Sequence, residues 1–235
     1  ALSEEVQAAT ASAEEVGIIH QPDLEKILSL QPDLVIGTNV PFHTDLEGTL
    51  GEAGVPIYIR ALDDVPSLYE ALRFYGSLTG SEQRAEEAVA ALQEKMAAVE
   101  QQVKGKTPPK SLLVFGAPDS FNMGTGRCFT GGLINMLGGG NIADAAEEDG
   151  AYAPLSMEFV ARENPDVIFI IVHGPTETLE PKMRHDLQEN PAWADVSAVK
   201  RGRVYVLPYD LFAVNPGIRA ADALQVLADA MYAED

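Results

Sequence analysis

The sequence predicts an α/β protein with two Rossmann-like lobes, each built on a parallel sheet, and one long α-helix that joins them. Three observations support this fold class. A short pattern occurs twice, a stretch of helical periodicity separates the two copies, and helical and strand-like segments alternate after each copy. The predicted boundaries are 1–80 for the N-terminal lobe, 81–105 for the linking helix and 106–235 for the C-terminal lobe.

The duplicated pattern reads DLEKILSLQPDLVIG at residues 23–37 and SMEFVARENPDVIFIIVHG at residues 156–174. In both copies a small polar residue precedes a Glu by two positions, and an apolar helical run follows. Pro-Asp comes seven residues after the Glu, ahead of an apolar strand. Because proline stops a helix, each copy encodes a short helix followed by a buried strand. The repetition indicates two similar α/β units.

In the first lobe, helices and strands alternate as in a βαβ arrangement. Asp23 is a candidate N-cap for the first of these helices. The predicted elements are a helix at 25–30, a strand at 34–36, a loop at 37–44, a helix at 45–52, a strand at 54–60 and a helix that opens at Pro66 and closes at Gly80.

The second lobe repeats this order. Its closing helix has Asn215 as candidate N-cap and Pro216 at its first position. The other predicted elements are a strand at 111–116, a Gly-rich loop, a helix around 131–137, a helix at 157–163, a strand at 167–172, a helix around 178–188 and a strand at 202–208.

Residues 81–105 carry apolar side chains at spacings of three and four, which is one stripe on a helix. Ser81 is the expected N-cap and Gly105 the expected end. The stripe consists of Ala85, Ala88, Val89, Leu92, Met96, Val99 and Val103. A rod of about 35 Å follows from a rise of about 1.5 Å per residue, so we expect the two lobes to tilt only slightly.

Composition excludes several classes of function. With 36 acidic and 16 basic residues the formal charge is −20, which disfavours nucleic acid and anionic membranes as partners. The single cysteine, Cys128, excludes an internal disulfide, and we expect it to be a buried thiol. No apolar run reaches the roughly 18–20 residues of a membrane span, and the polar N-terminus is unlike a signal peptide.

The order of these segments resembles the substrate-binding proteins of ABC importers for iron-siderophore complexes, haem and vitamin B12. The resemblance covers nearly the whole chain and rests on PDLEKILSLQPDLVIG, LSMEFVARENPDVIFI and NPAWADVSAVKRGRVYVLP. It implies a monomeric extracytoplasmic protein that captures a metal chelate between its lobes. Family members usually have a further strand and helix first. We expect the first lobe to lack them, and part of the ligand site to be absent or rebuilt.

The same resemblance implies a role for Glu25 and Glu158, the glutamates of the repeat. In the family, paired carboxylates at the tips of the lobes meet arginines of an ABC transporter permease. The alternative is that each glutamate only complements the dipole of its own helix, an effect of about 0.3–1 kcal/mol.

Candidate ligand-binding residues follow the strands, because ligands of open α/β sheets bind outside the carboxyl ends of the strands. They combine aromatic rings with cationic and hydrogen-bonding groups, as a bulky chelate requires. They are Asn39, Phe42, His43 and Arg60 in the first lobe, and Asn122, Arg127, Phe129, His173, Tyr209 and Phe212 in the second.

Each candidate has a plainer alternative. GTGR at 124–127 could form a phosphate loop, but it lacks the Gly-x-Gly-x-x-Gly spacing and a Walker lysine. His43 and His173 could ligate a metal or only make surface hydrogen bonds, and the arginines could pair with neighbouring carboxylates. Trp193 lies away from the strand ends and is expected in the core.

The sequence favours a ferric siderophore as ligand, with a corrinoid or haem close behind. Haem binders of the family often place a Tyr after the DLVIG strand, where this chain has Phe42 and His43. Vitamin B12 binders tend to use several tryptophans, and this chain has one. No resident cofactor is expected.

The competing interpretation is a two-lobed Rossmann-like enzyme, such as a glycosyltransferase or a metallocluster reductase. Such an enzyme needs a nucleophile with its base, a phosphate cradle or several cysteines. The sequence shows no Gly-x-Ser-x-Gly turn and no His-Glu-x-x-His, and a lone cysteine cannot hold a cluster. A binding protein is therefore the favoured interpretation.

Overall fold

The computed structural model describes residues 4–117, 120–146, 150–172, 191–212 and 215–233 of the 235-residue chain. It forms two compact units, Ala1–Ala61 and Leu62–Asp235. The sequence places residues 62–80 in the first lobe, whereas the structure groups them with the second unit, because Val65 and Leu68 pack in its core. Among the described helices, none has the length and apolarity to span a bilayer.

The first unit contains short elements around two small sheets. Strands β1 and β2 pair antiparallel, and β3 and β4 pair in parallel. In chain order its elements are α1 (Glu4–Thr10), β1 (Gly17–Ile18), β2 (Gln21–Pro22), α2 (Leu24–Ser29), β3 (Val35–Thr38), α3 (Pro41–Thr44), α4 (Leu46–Glu52) and β4 (Ile57–Arg60). The loop predicted at 37–44 thus contains a short helix, which begins at a proline as helices often do.

The second unit is built on a mixed sheet of six strands. Its helices are α5 (Val65–Leu78), α6 (Glu82–Val103), α7 (Phe129–Met136), α8 (Met157–Glu163), α9 (Ser197–Lys200), α10 (Tyr209–Phe212) and α11 (Ala220–Met231). Its strands are β5 (Lys110–Ala117), β6 (Ser120–Gly124), β7 (Gly140–Asn141), β8 (Tyr152–Pro154), β9 (Val167–Val172) and β10 (Val204–Val206). The order is β10-β9-β5-β6-β8, and β7 also pairs with β5.

The sheet of the second unit departs from the all-parallel prediction. Strands β10, β9, β5 and β7 are parallel, but β6 runs antiparallel to both β5 and β8. Residues 120–124, expected in a Gly-rich loop, form β6, because Met123 is buried in the sheet's core and the strand pairs on both edges.

The repeat is confirmed as a structural feature of both units. Asp23 and Ser156 are the N-caps of α2 and α8, and each side chain accepts a hydrogen bond from the backbone N–H three residues on. Gln31 and Asn164, immediately before each Pro-Asp, have φ of 50° and 48°. They are the only non-glycine residues with positive φ in the described part of the chain. Both copies therefore leave the helix through the same left-handed turn.

The helix predicted at 81–105 is present as α6, which lies within the second unit and packs against α5 and α11. Ser81 occupies its N-cap position, but its hydroxyl donates to the Thr79 carbonyl instead of capping the helix. Gly105 lies just beyond the end with φ of 82°, a conformation that glycine adopts readily. The buried stripe consists of Ala85, Val89, Leu92, Met96, Val99 and Val103.

The core of the second unit lies on both faces of its sheet. Side chains alternate along a strand, so Leu113 and Phe169 pack in one cluster with α6, α7 and α11, while Leu112 and Ile168 pack in the other. All six residues of β9 are buried. The apolar run that predicted this strand thus reflects burial on both faces.

Candidate functional site

In the first unit, the predicted residue Arg60 lies at the end of a parallel strand. Thr38 pairs in register with Arg60 at the carboxyl ends of β3 and β4. The Arg60 guanidinium is half-buried, and its Nη1 donates to the Tyr58 hydroxyl at 3.2 Å. Arg60 therefore lies at the strand end that the sequence predicts, held by a neighbour on its own strand.

The loop after β3 places Asn39, Phe42 and His43 around the same strand end. Asn39 and Phe42 are exposed, and the Phe42 ring meets the His20 ring edge to face at 5.4 Å between centroids. His20 lies between β1 and β2, remote in sequence from any predicted strand end. Only the pairing of those short strands brings it to Phe42, so no local signal in the sequence indicated His20.

The geometry of His43 does not match that of a prepared metal ligand. Its Nδ1 accepts a hydrogen bond of 3.0 Å from the Thr38 N–H. A metal-binding histidine normally donates its second ring N–H to an acceptor, whereas this ring uses Nδ1 as the acceptor. No group of three or more potential ligating side chains comes together within the described ranges. His43 is therefore arranged to order the loop.

In the second unit, Asn122 lies within β6 and not in a loop. It stands directly opposite Phe115 on β5 and Pro154 on β8. Beside it, the Tyr152 ring meets the Phe115 ring edge to face at 4.8 Å. Neither Tyr152 nor Phe115 was predicted from the sequence, because their contact depends on the antiparallel pairing of β6.

The GTGR stretch forms a tight turn whose backbone donors already have partners. The Gly126 N–H donates to the Asp144 carboxylate, and the Asn135 amide donates to the other oxygen of that carboxylate at 2.9 Å. A Cβ on Gly126 would come within 2.3 Å of the Asn135 amide nitrogen, so a side chain there would displace the Asn135 amide. A protein carboxylate thus occupies the position where a phosphate loop would hold its anion. Arg127, next in the chain, is exposed.

Cys128 is buried, as expected, at the start of α7. Burial raises the pKa of its thiol to about 11, and the thiol donates to the Thr125 carbonyl at 3.1 Å. A thiol held in this way is a poor nucleophile at neutral pH.

The remaining predicted residues of the second unit include both buried and exposed side chains. Phe129 and Phe212 are 7% and 1% exposed and belong to the hydrophobic core, so their rings face inward. Tyr209 is exposed at the start of α10. Trp193 is confirmed in the core. His173 lies outside the described residues.

Glu25 and Glu158 occupy the same position in the two copies of the repeat. Each is the second residue of its helix, two places after the N-cap, and each is exposed. Within the described ranges, neither carboxylate forms an ion pair, whereas the adjacent Lys26 pairs with Glu14 at 2.6 Å. Each carboxylate is thus available to a cationic partner.

The comparisons with known proteins agree with this architecture. The family model described as periplasmic binding protein matches residues 2–211. The high-affinity heme uptake system protein IsdE of Staphylococcus aureus (strain MRSA252) is 23% identical over 223 residues, covering 93% of this chain and 74% of the relative.

Two solved structures extend this result. An ABC transporter substrate-binding protein from Listeria monocytogenes EGD-e has a TM-score of 0.87 and 25% identity, covering 97% of this chain and 87% of its own. A periplasmic heme binding protein from Pseudomonas aeruginosa has a TM-score of 0.75 and 28% identity, covering 96% and 81%.

Proposed function

We propose, from the premise that the chain belongs to the periplasmic binding protein family, that it is the extracytoplasmic solute-binding component of an ABC importer for an iron chelate. One observation carries the proposal. The two units contain the same capped helix with an exposed glutamate at its second position, Glu25 in one and Glu158 in the other. A pair of matching anionic sites suits a permease with two matching cationic sites.

Complementing the helix dipole is too small an effect to account for these glutamates alone. An exposed carboxylate in a first turn contributes about 0.3–1 kcal/mol, and Asp23 and Ser156 already satisfy backbone donors of α2 and α8. Glu82 in the first turn of α6 offers the same dipole effect outside the repeat. It is therefore the natural control for any test of docking.

The ligand we propose first is a ferric siderophore. The loop after β3 offers Phe42 and His43 and no tyrosine that could bind haem iron as a tyrosinate, and the His43 ring is engaged with the Thr38 backbone. Haem is the second candidate, because the relative IsdE and the Pseudomonas aeruginosa protein are named for heme. We propose that the chain acts by binding alone, without a resident cofactor and as a monomer.

Charge reversal at both glutamates tests the docking role. We expect Glu25→Arg with Glu158→Arg to abolish uptake of a radioactive iron chelate by cells in which this chain is the sole binding protein. Affinity for the chelate, measured by calorimetry on the purified variant, should stay within about twofold, because Glu25 and Glu158 are exposed and are not among the predicted ligand-binding residues. The control Glu82→Arg should leave uptake intact.

Uptake that survives the double reversal would refute the docking assignment. If uptake falls equally in the Glu82→Arg control, the loss comes from the change in net charge and not from the two repeat positions. The chelate itself is found by thermal shift with ferric siderophores, haemin and cobalamin, because a ligand that binds only the folded state raises Tm. Hydrolysis or group transfer by the purified chain would instead favour the enzyme alternative.

A further inference from the structure

Acidic residues are unevenly distributed between the two units. Residues 1–61 contain ten acidic and two basic side chains, which gives a formal charge of −8. Residues 62–235 contain 26 acidic and 14 basic side chains, a formal charge of −12 over nearly three times the length. The first unit therefore has one cation for every five carboxylates, whereas the second has about one for every two.

The two cations of the first unit offset little of its charge. Lys26 pairs with Glu14 at 2.6 Å, and the Arg60 guanidinium donates to the Tyr58 hydroxyl at 3.2 Å. Even if each cation neutralised one carboxylate, eight negative charges would remain in this unit. Repulsion among them favours the expanded, unfolded chain over the compact one.

The apolar core that opposes this repulsion is small in the first unit. Among its described residues, Ile27 and Leu50 are the buried hydrophobic ones, and each of its two sheets has two strands. The second unit instead has a six-stranded sheet with a buried cluster on each face. Because a two-stranded sheet is only marginally stable by itself, modest repulsion is enough to unfold the first unit.

Ionic strength determines how many of these carboxylates repel one another. A compact domain of about 60 residues has a radius of gyration of about 10 Å, and the Debye length is about 30 Å at 0.01 M salt. Each carboxylate of the first unit then repels all the others. At 1 M salt the Debye length is about 3 Å, so the repulsion is confined to adjacent groups.

We propose that salt controls the folding of the first unit: the unit opens at low ionic strength and folds at high ionic strength, while the second unit keeps its sheet at both. The inference goes beyond the proposed function and does not depend on which ligand the chain binds. It gives the first unit an unusual salt dependence. Salt weakens the attraction between exposed opposite charges, but here it also forms the unit that carries Glu25 and Arg60.

Hydrogen exchange of the full chain, measured by mass spectrometry at about 0.01 M and about 1 M NaCl, tests this control by salt. Amides of β3 and β4 should exchange at least about tenfold more slowly at the higher concentration, because screening removes the repulsion that opens the unit. Amides of β9 should change less than about twofold and serve as the internal reference. Sucrose of equal osmolality, which strengthens burial without screening charge, should protect β3 and β4 less than NaCl does.

Removal of two carboxylates should lower the salt concentration that the first unit requires. Glu15→Gln with Glu47→Gln reduces its formal charge from −8 to −6, and both side chains are exposed. The matched control in the second unit is Glu94→Gln with Glu82→Gln, which are also exposed positions. Glu47 and Glu82 each lie in the first turn of a helix, so the effect of the helix dipole cancels in the comparison.

We expect the NaCl concentration at half-maximal protection of β3 and β4 to fall roughly twofold in the first pair, because repulsion within a unit grows with the square of its charge. The control pair should leave this concentration unchanged. Equal exchange of β3 and β4 at both salt concentrations would overturn the proposal. A control pair as effective as the first pair, or sucrose as effective as NaCl, would do the same.

Discussion

Glycine at the two left-handed positions of the repeat should change stability in opposite directions. Gln31 and Asn164 have nearly the same φ, 50° and 48°, and both precede Pro-Asp. Their side chains differ in their contacts. The Asn164 amide oxygen accepts a hydrogen bond of 2.8 Å from the Ser197 N–H, whereas Gln31 is exposed.

The magnitudes follow from these contacts. A left-handed conformation costs an ordinary L-residue about 1–2 kcal/mol, which glycine avoids. Glycine in turn destabilises the folded state by about 0.5–1 kcal/mol, because it has greater freedom in the unfolded chain. Gln31→Gly should therefore stabilise the fold by roughly 0.5–1 kcal/mol. Asn164 has less strain to relieve, because asparagine tolerates this conformation, and Asn164→Gly leaves the Ser197 N–H without its acceptor. We expect a net loss of about 1 kcal/mol.

Urea unfolding followed by two probes measures both changes. Trp193 is the only tryptophan and is buried in the second unit, so its fluorescence reports on Asn164→Gly. Far-ultraviolet circular dichroism reports on Gln31→Gly. A loss of about 1 kcal/mol corresponds to a Tm lower by about 2–4 °C in a domain of this size. If Gln31→Gly destabilises, or if Asn164→Gly is neutral, the left-handed turn does not have the role assigned to it.

Two further predictions concern burial. Because the pKa of the buried Cys128 thiol is raised to about 11, its thiolate forms only as pH rises toward that value. Alkylation by iodoacetamide at pH 8 should be at least about a hundredfold slower in the folded chain than in urea, and similar rates would contradict the burial. Amide hydrogens of β9, which pairs with β5 and β10, should exchange more slowly than those of β3, which pairs with β4. Equal protection in mass-spectrometric exchange would show that the two sheets are equally stable.

The features that the sequence predicted are those with local signals. The repeat, α6 and β9 follow from spacing, capping and apolar runs within a few residues of one another. The antiparallel strand β6 was missed, because its identity depends on pairing with β5 and β8 and not on its own composition.

In the candidate site, too, features that depend on contacts distant in sequence were not predicted. The position of a residue after a strand predicts where its backbone lies, but not where its side chain points. Phe129 and Phe212 therefore turned out to be core residues, while Tyr152, which follows no predicted strand, is exposed beside Phe115. Contacts across a sheet are set by register, and register was not deducible for a strand that had not been recognised.

The strands of the two repeat copies, β3 and β9, are buried to different extents. Strand β9 is buried along its length, whereas β3 alternates and leaves Ile36 48% exposed. In the described part of the first unit, Ile27 and Leu50 are the buried hydrophobic residues. A two-stranded sheet is only marginally stable by itself. The stability of α2 therefore depends more on its own N-cap than that of α8 does. The Asp23 cap, a contribution of about 1 kcal/mol, therefore matters more for presenting Glu25 than the Ser156 cap matters for Glu158.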